Sequence, residues 1–346
     1  MGKTRVVVVY GGRSPEHEVS IQSGRAVIEA LSQKPEKYQV LPVYITKEGK
    51  WLLKESELEE GTPAALSPDA TFKGLMVNGL SLMPVDAVFP ALHGKNGEDG
   101  CIQGLCALAG LPCVGSGPLS SAICMDKAVA KRLTSDIDGL GQVPFLTIDA
   151  AEGLDTSRFH DLSRKVEGLL GYPCFCKPIN TGSSRGISKI MDKSGLLQAV
   201  KRAGAHDSKL IVEQAVSGRE LEVGILGNER LTVSTVGEIC VRGGFYDYDA
   251  KYTDGGADII IPASVEEQIM ERVKELALKI YRTLGCAGMA RVDFFMEHKT
   301  NRIIFNEINT IPGFTPTSMY PKLFARAGLS MADLIDKLVE LAIEGG

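Results

Sequence analysis

The chain has 346 residues, of which 44% are hydrophobic and 23% charged, a composition typical of globular proteins with two or three domains. Its formal net charge of -5 at pH 7 argues against a nucleic-acid-binding protein, because such proteins usually carry a basic face. The sequence contains no run near the roughly 20 apolar residues that span a bilayer. The apolar run at its start, Val6 to Tyr10, is too short for a signal-peptide core, so we expect a cytoplasmic protein.

The first region of the chain predicts alternating strands and helices. Arg5 to Tyr10 is rich in β-branched residues and ends at a glycine turn, which predicts a buried strand. Apolar residues at helical spacing predict a helix from Val19 to Leu31, and two apolar runs predict strands at Gln39 to Ile45 and Ala87 to Ala91. This order indicates a parallel α/β domain, which we expect to close near Gly115 to Pro118.

The middle region predicts a helix followed by three strands. The helix runs from Ser121 to Leu133, and the strands are Tyr172 to Lys177, Ser188 to Met191 and Leu210 to Glu213. Cys174 and Cys176 would share one face of the first strand. The eight cysteines form no CxxC pair and indicate no disulfide framework, so we expect these two to be buried free thiols.

The last region begins after a connector at Gln214 to Gly218. It predicts a strand from Leu221 to Leu226, a hairpin from Met289 to Asn309 and a final helix from Met331 to Ile343. Between these elements, the polar and glycine-bearing stretch from Gly243 to Asp258 is long for a loop, which is typical of an active-site lid.

The predicted hairpin carries the most informative polar pattern. Side chains two apart on a strand point the same way, so Arg291 shares a face with Asp293, and Glu307 shares a face with Asn309. If Asp293 pairs with Glu307, all four side chains converge, whereas a slip of one residue scatters them. Two carboxylates and an amide oxygen are ligands that Mg²⁺ uses together with nucleotide phosphates. The pattern therefore predicts a magnesium site, and the alternative is an exposed charged face on an edge hairpin.

A second signal is Lys177 at the end of an apolar strand, followed by the glycine- and serine-rich loop Thr181 to Gly186. Backbone N–H groups and hydroxyls in such a loop can bind phosphate oxygens while the lysine supplies charge; the alternative is a plain turn. At the connector, Glu213 or Glu220 could bind a ribose while backbone groups bind an adenine edge. Exposed loop carboxylates are the alternative there.

Two loops of the first domain follow predicted strands, where α/β folds place ligands. The first is Ser14 to Ser20, for which helix capping by Ser14 and the acids is the alternative. The second is Leu92 to Gly100, whose three glycines and one histidine suggest a backbone that closely approaches another group. A purely structural role for His93 is the alternative there.

Together these segments resemble the D-alanine–D-alanine ligases of the ATP-grasp superfamily, almost from end to end. The resemblance rests on the order and spacing of GGRSPEHEVS at 11–20, LHGKNGEDG at 92–100, MDK at 125–127, KPINTGSS at 177–184, FYDYDAKY at 245–252, RVD at 291–293 and EINTIPG at 307–313. It implies a three-domain ATP-grasp architecture, α/β with α+β character in the later domains. The implied domains are an N-terminal parallel α/β substrate domain at 1–120, a central ATP-grasp subdomain at 121–217 and a C-terminal ATP-grasp domain with the metal and substrate site at 218–346.

The resemblance also implies a function and a set of site residues. The reaction would join two D-alanine molecules through a D-alanyl phosphate formed from ATP, for peptidoglycan precursor synthesis. The resemblance also implies a homodimer that acts in the cytoplasm. The implied nucleotide-binding residues are Lys127, Lys177, Ser184, Glu213, Val216, Glu220 and Lys251. The implied ligands of two Mg²⁺ ions, which Mn²⁺ can replace, are Asp293, Glu307 and Asn309. The implied catalytic and substrate-binding residues are Glu16, His93, Ser183, Tyr252, Arg291, Gly313, Ser318 and Met319.

Each implied substrate residue has a role in that reaction. Glu16 would bind the first ammonium group, with His93 near the carboxylate. Arg291 and the Gly313 N–H would stabilise the oxyanion. The second carboxylate would bind Ser318 beside Met319, and Ser183 with Tyr252 would orient the loop and relay the amine proton.

Two residues bear on the identity of the second substrate. Tyr252 keeps the family's loop pattern, which favours D-alanine as the nucleophile. Lys95 gives a Leu-His-Gly-Lys stretch that also resembles relatives using D-lactate. Two other functions stay open: a different ATP-grasp carboxylate–amine ligase, and a nucleotide-binding regulatory module, which would require a lost metal ligand or phosphate lysine.

Overall fold

Three β-sheets that follow one another along the chain form the framework of the protein. The computed structural model describes residues 2–54, 60–182, 185–241 and 257–345. In these residues the first sheet has seven strands, the second four and the third five. No helix in the described ranges is both long and apolar enough to cross a membrane.

The first sheet has the strand order β6-β5-β4-β3-β2-β1-β7. Its strands and helices are β1 (Thr4–Gly11), α1 (His17–Ser32), β2 (Tyr38–Ile45), β3 (Trp51–Leu53), β4 (Thr62–Leu66), β5 (Gly74–Val77), β6 (Ser81–Pro84), β7 (Ala87–Pro90) and α2 (Cys101–Leu108). Strand β1 is parallel to β2 and β7, and Val6 to Val9 at its centre are fully buried. These two pairs confirm the predicted parallel α/β unit, and the remaining pairs of the sheet are antiparallel. The four strands β3 to β6 are short and partly exposed, and their weak apolar pattern gave no signal in the sequence.

The last helix of the chain packs on the first sheet. Leu334 and Leu338 of α10 (Met331–Glu344) share one core cluster with Val6 and Val8 of β1. Charged groups reinforce this contact, because Asp336 forms ion pairs with lysines of the α1–β2 loop. The C-terminal end of the chain thus covers the N-terminal sheet and helps to fix it against the third sheet.

The segment after the first sheet forms two short helices, α3 (Pro118–Met125) and α4 (Lys127–Leu133). The prediction of one helix from Ser121 to Leu133 was therefore wrong. Asp126 has extended backbone angles, φ -80° and ψ 101°, and its carboxylate accepts hydrogen bonds from the N–H groups of Ala128 and Val129. This N-cap starts a new helix and places Lys127 in its first turn.

The second sheet has the order β10-β9-β11-β8. Its elements are β8 (Phe145–Asp149), α5 (Ala150–Leu154), α6 (Thr156–Leu169), β9 (Cys174–Pro178), β10 (Ser188–Ile190), a 3₁₀ turn at Lys193–Gly195, α7 (Leu196–Gly204) and β11 (Lys209–Gln214). Cys174 and Cys176 are buried free thiols on one face of β9, which confirms that prediction. Strand β11 lies between β9 and β8 and ends at Gln214, beside the predicted connector.

The third sheet has the order β14-β13-β12-β15-β16. Its elements are β12 (Gly218–Leu226), β13 (Thr232–Val241), β14 (Ala257–Ile260), α8 (Glu267–Thr283), β15 (Met289–Glu297), β16 (Ile303–Asn309) and α9 (Met319–Arg326). Val223, Val292 and Phe294 pack with residues of α8 in one core cluster. Because one face of this sheet is occupied by that core, the alternate side chains of β15 and β16 point towards the second sheet.

Candidate active site

The hairpin of β15 and β16 brings four polar side chains together on one sheet face. Asp293 pairs with Glu307, and Arg291 pairs with Asn309, which confirms the register that the sequence argument required. Val292, between the two polar positions of β15, is fully buried in the opposite core. The alternative of an idle exposed face does not hold, because Asp293 is only 2% exposed.

Arg291 is held between two carboxylates. It donates hydrogen bonds to Asp293 through Nε at 2.8 Å and Nη2 at 2.7 Å, and its Nε lies 2.9 Å from Glu222 Oε2. Burial lowers the pKa of Arg291, but Asp293 and Glu222 outweigh burial and raise that pKa well above its usual value. Asn309 completes the group, since its Nδ2 donates to Asp293 Oδ2 at 3.1 Å. A permanently charged guanidinium therefore lies on the face where the sequence predicted an oxyanion partner.

Sequence reasoning missed Glu222. This residue lies opposite Asp293 because β12 pairs with β15, and it is 3% exposed. The sequence shows that Glu220 and Glu222 lie two residues apart on one strand. It does not show that β12 pairs with β15.

A cavity of about 310 Å³ lies between the second and third sheets. It is lined by five of the predicted nucleotide-binding residues and one predicted metal ligand: Lys127, Lys177, Glu213, Val216, Glu220 and Glu307. Phe175, Phe295 and Phe305 also line it and provide an apolar surface that suits a planar aromatic group. The volume lies in the range of small-molecule sites, which is roughly 300–1,000 Å³.

Two buried lysines flank Glu213 at the end of this cavity. Lys177 Nζ donates to Glu213 Oε1, and Lys131 Nζ lies 3.4 Å from Glu213 Oε2. Burial raises the pKa of Glu213, but the two ammonium groups outweigh burial and lower that pKa to about 2. Glu213 is therefore ionised at every physiological pH and keeps its two oxygens oriented as acceptors.

Lys131 was not predicted from the sequence. Its side chain is 2% exposed, its Nζ donates to the carbonyl oxygen of Phe305 at 3.0 Å, and burial lowers its pKa. It follows Lys127 by four residues, so the two lysines share one face of α4. That spacing was the signal that could have identified it.

Lys127 contacts both the loop at 181–182 and Glu307, a carboxylate that was predicted to bind metal. Its Nζ donates to the Thr181 carbonyl oxygen at 3.0 Å and lies 3.3 Å from Glu307 Oε2. Lys127, Glu307 and Asn309 also line a smaller depression with Glu98. The lysine and carboxylate predicted for phosphate and metal are thus neighbours.

The loop after β1 places Glu16 against two glycines. A Cβ atom on Gly94 would lie 2.5 Å from Glu16 Oε2, and one on Gly182 would lie 3.1 Å from Glu16 Oε1. Glycine is therefore required at 94, where φ is +73°, if the Glu16 carboxylate is to keep its place, whereas a Cβ at 182 would displace that carboxylate by only a few tenths of an ångström. Ser14 does not cap α1, which has no side-chain cap; its hydroxyl donates to the His93 carbonyl oxygen at 2.7 Å. The same hydroxyl accepts from Glu16 N at 3.1 Å. Ser14 is therefore not the N-cap that the alternative required, but Glu18 lies in the first turn of α1, as that alternative expected of the acids.

His93 links this loop to the turn that contains Gly313. Its Nε2 lies 2.8 Å from the Ser23 hydroxyl, its Nδ1 lies 3.4 Å from Glu98 Oε1, and its side chain is 5% exposed. The same Ser23 hydroxyl accepts a hydrogen bond from Phe314 N at 3.2 Å. Ser23, another residue that the sequence did not single out, thus fixes His93 next to Gly313.

Gly313 also lies close to Ser318. A Cβ on Gly313 would be 2.6 Å from Ser318 Oγ, and that hydroxyl accepts from Thr315 N at 3.0 Å. Met319 is 5% exposed and packs with Ile239 and Leu323 in the core. Ser318 therefore lies next to Gly313, whereas the Met319 side chain belongs to the core.

Four predicted residues lie outside the described ranges: Ser183, Ser184, Lys251 and Tyr252. The same holds for nearly all of the predicted lid. Their roles stay predictions from the resemblance.

The predicted metal ligands Asp293, Glu307 and Asn309 offer only oxygen atoms of carboxylates and an amide. Within the described residues, no group of three or more His, Cys, Asp or Glu side chains is placed to hold a metal ion. The predicted set has two carboxylates and the amide of Asn309, and Arg291 and Lys127 neutralise those carboxylates. Hard oxygen donors in that number fit Mg²⁺ when phosphate oxygens supply further ligands.

Comparisons with known proteins agree on one family. The family model "D-ala D-ala ligase N-terminus" matches residues 5–116, and "D-ala D-ala ligase C-terminus" matches residues 134–340. A D-alanine–D-alanine ligase of Caldicellulosiruptor bescii is 46% identical, over 99% of this chain and 96% of that protein. The crystal structure of the VanG D-Ala:D-Ser ligase from Enterococcus faecalis superposes with a TM-score of 0.88 at 38% identity, over 99% of this chain and 100% of that one. The D-alanine–D-alanine ligase from Coxiella burnetii gives 0.84 at 32% identity, over 99% of this chain and 94% of that one.

Proposed function

The chain belongs to the D-alanine–D-alanine ligase family, which has the ATP-grasp fold, and from this premise we propose how its site residues act. The enzyme joins two D-alanine molecules with ATP and so makes the peptidoglycan precursor D-alanyl-D-alanine. The proposal concerns the route through a D-alanyl phosphate, the metal, and the residue roles. We also place the reaction in the cytoplasm and assign the enzyme a homodimeric state.

One observation carries the proposal. The register of β15 and β16 presents Asp293, Glu307 and Asn309 on the face that borders the lysine-lined cavity. Phosphoryl transfer needs cations and carboxylates that face one another at the edge of a nucleotide-sized cavity. The reason is that catalysis of phosphoryl transfer consists mostly of positioning the reactants and stabilising charge.

In the first step, the carboxylate of one D-alanine attacks the γ-phosphate of ATP, the bond from the γ-phosphorus to the bridging oxygen breaks, and an acyl phosphate and ADP form. Lys127 and Lys177 bind phosphate oxygens. Each lysine then pairs with the nucleotide in place of the protein carboxylate with which it forms an ion pair in the structure. Glu16 holds the ammonium group of the first D-alanine, and its carboxylate lies close to Gly94 and Gly182. Mg²⁺ held by Asp293, Glu307 and Asn309 would offset the charge on the transferring phosphoryl group.

In the second step, the amine of the other D-alanine attacks the acyl phosphate and displaces phosphate. The tetrahedral intermediate carries an oxyanion, which Arg291 and the Gly313 N–H stabilise. Arg291 suits this role because its two carboxylate partners keep it charged and oriented. Ser318 binds the carboxylate of the second D-alanine. His93, fixed by Ser23 and Glu98, lies beside the first substrate.

The test is phosphate release that depends on Mg²⁺ and ATP, with products identified by mass. Substrates are D-alanine, L-alanine, and D-alanine mixed with D-lactate or with D-serine. We expect release with D-alanine alone and the dipeptide as product. A preference for a mixed product would overturn the choice of nucleophile, and silence with every D-substrate would overturn the proposed function.

A further inference from the structure

A second cavity, of about 320 Å³, lies at the carboxyl ends of β1 and β2, on the side of the first sheet that α2 covers. Its floor is apolar and is formed by Ile45, Trp51, Leu92, Ile102 and Leu105. Gly11, Gly12 and Gly49 bring backbone close to the remaining surface. The volume suffices for a small molecule, since known ligand sites begin at roughly 300 Å³.

The rim of this cavity is charged. Arg13 and Lys95 both line it and are exposed, and Glu48 lines it as well. In the described part of the chain, neither cation has a carboxylate within ion-pair distance. Two cations against one carboxylate give the rim a net positive charge. Lys95, which the sequence connected only with the choice of the second substrate, thus lies at the rim of this second cavity.

The second cavity is separate from the site that binds the first D-alanine. The segment from Leu92 to Gly94 forms the wall between them: His93 lines the cavity, while Gly94 faces Glu16 on the other side. Glu16 itself does not line the second cavity. A molecule bound there would therefore lie next to the substrate site without occupying it.

We propose that this cavity is a binding site for a small molecule with an apolar body and a single carboxylate. The apolar body would cover Trp51 and the floor, where loss of water from apolar surface favours binding. The carboxylate would lie between Arg13 and Lys95 at the rim. The site rests on the proposed function in one respect only, namely that Glu16 marks the first-substrate side of the shared wall.

Trp51 allows a direct test, because it is the single tryptophan of the chain. Its fluorescence would be measured during titration with 4-methylpentanoate, 4-methylpentanamide and 4-methylpentylamine, which share one apolar body. We expect a saturable change in fluorescence with the carboxylate. The amide and the amine should bind at least about tenfold more weakly. Equal binding of the amide, or no saturable change with the carboxylate, would overturn the proposal.

Variants locate the carboxylate. Replacing Arg13→Gln together with Lys95→Gln should weaken 4-methylpentanoate binding about tenfold, the effect of losing two surface ion pairs of ordinary strength. Lys50→Gln, exposed in the neighbouring loop but outside the cavity lining, should leave binding unchanged. Unchanged binding in the double variant would overturn the proposal.

Saturating D-alanine separates the two sites. We expect it to leave the fluorescence titration in place, whereas full competition would assign the cavity to the substrate site and overturn the proposal. Because fluorescence reports binding without turnover, a failure of ligation would leave this test intact.

Discussion

Glu213→Gln removes a negative charge that lies between the buried ammonium groups of Lys131 and Lys177. The pKa of Glu213 is about 2 instead of the usual 4.5, a difference that corresponds to about 3 kcal/mol of folding free energy at neutral pH. Breaking a buried ion pair from one side costs a similar amount, about 3–5 kcal/mol. We therefore expect the variant to lower the free energy of unfolding by about 3 kcal/mol at pH 7.

The sign of the pH dependence follows from the lowered pKa. A carboxylate whose pKa is lowered by folding adds stability above its unfolded pKa of 4.5, and this stability is lost as the pH falls through about 2. The difference between wild type and variant should therefore be constant above pH 4.5 and shrink below it. Urea unfolding followed by far-UV circular dichroism, without nucleotide, measures this difference.

A double variant makes the argument specific. Lys131→Met alone should cost about 1–2 kcal/mol, because Glu213 keeps Lys177 while the hydrogen bond to the Phe305 carbonyl is lost. In the Glu213→Gln background the same change should restore about 1 kcal/mol, since it removes one of two unbalanced charges. Glu167→Gln, exposed on α6, is the matched control. Additive losses, or a cost of Glu213→Gln near that of the control, would refute the reasoning.

Three further variants test other parts of the site. Asp293→Asn should lower D-alanine-dependent phosphate release about a thousandfold with an unchanged circular dichroism spectrum, and turnover near wild type would remove this residue from the metal set. Gly94→Ala should raise the KM for the first D-alanine about tenfold, because its Cβ would lie 2.5 Å from Glu16 Oε2. Gly104→Ala is the control, since a Cβ there would have nothing within 4 Å. Equal KM values for the two variants would contradict the role of Glu16. Asp336→Asn should cost about 1–2 kcal/mol at pH 7, because burial raises the pKa of this carboxyl but its lysine and tyrosine partners outweigh burial and lower it to about 2. That loss should fade as the pH falls from 3.8 towards 2, and a loss independent of pH in urea unfolding would contradict the assignment.

The hairpin could be predicted from the sequence because its signals agree. Alternation fixes which residues share a face, and the polar turn between the strands limits the register to a few choices, of which the structure has the one that pairs Asp293 with Glu307. The family resemblance then supplied roles that geometry alone does not give. The strands before the two N-terminal loops could be predicted because buried parallel strands such as β1 are continuous apolar runs.

The features that were missed depend on contacts between distant segments. Asp126 ends one helix and caps the next, but the apolar spacing on both sides continued as though a single helix were present. Lys131 and Glu222 carry charges that usually lie on the surface, and only the packing of α4 and β12 around the site buries them. Each of these charges is paired with a residue far along the chain: Lys131 with Glu213, 82 residues later, and Glu222 with Arg291, 69 residues later.

The central claim is that the carboxylate of the first D-alanine attacks ATP. D-Alanine labelled with ¹⁸O in both carboxylate oxygens tests it directly, with the released phosphate analysed by mass. The account predicts one labelled oxygen in each phosphate, because the acyl phosphate breaks between its carbonyl carbon and the bridging oxygen. Phosphate that is released with dipeptide but carries no label would contradict it.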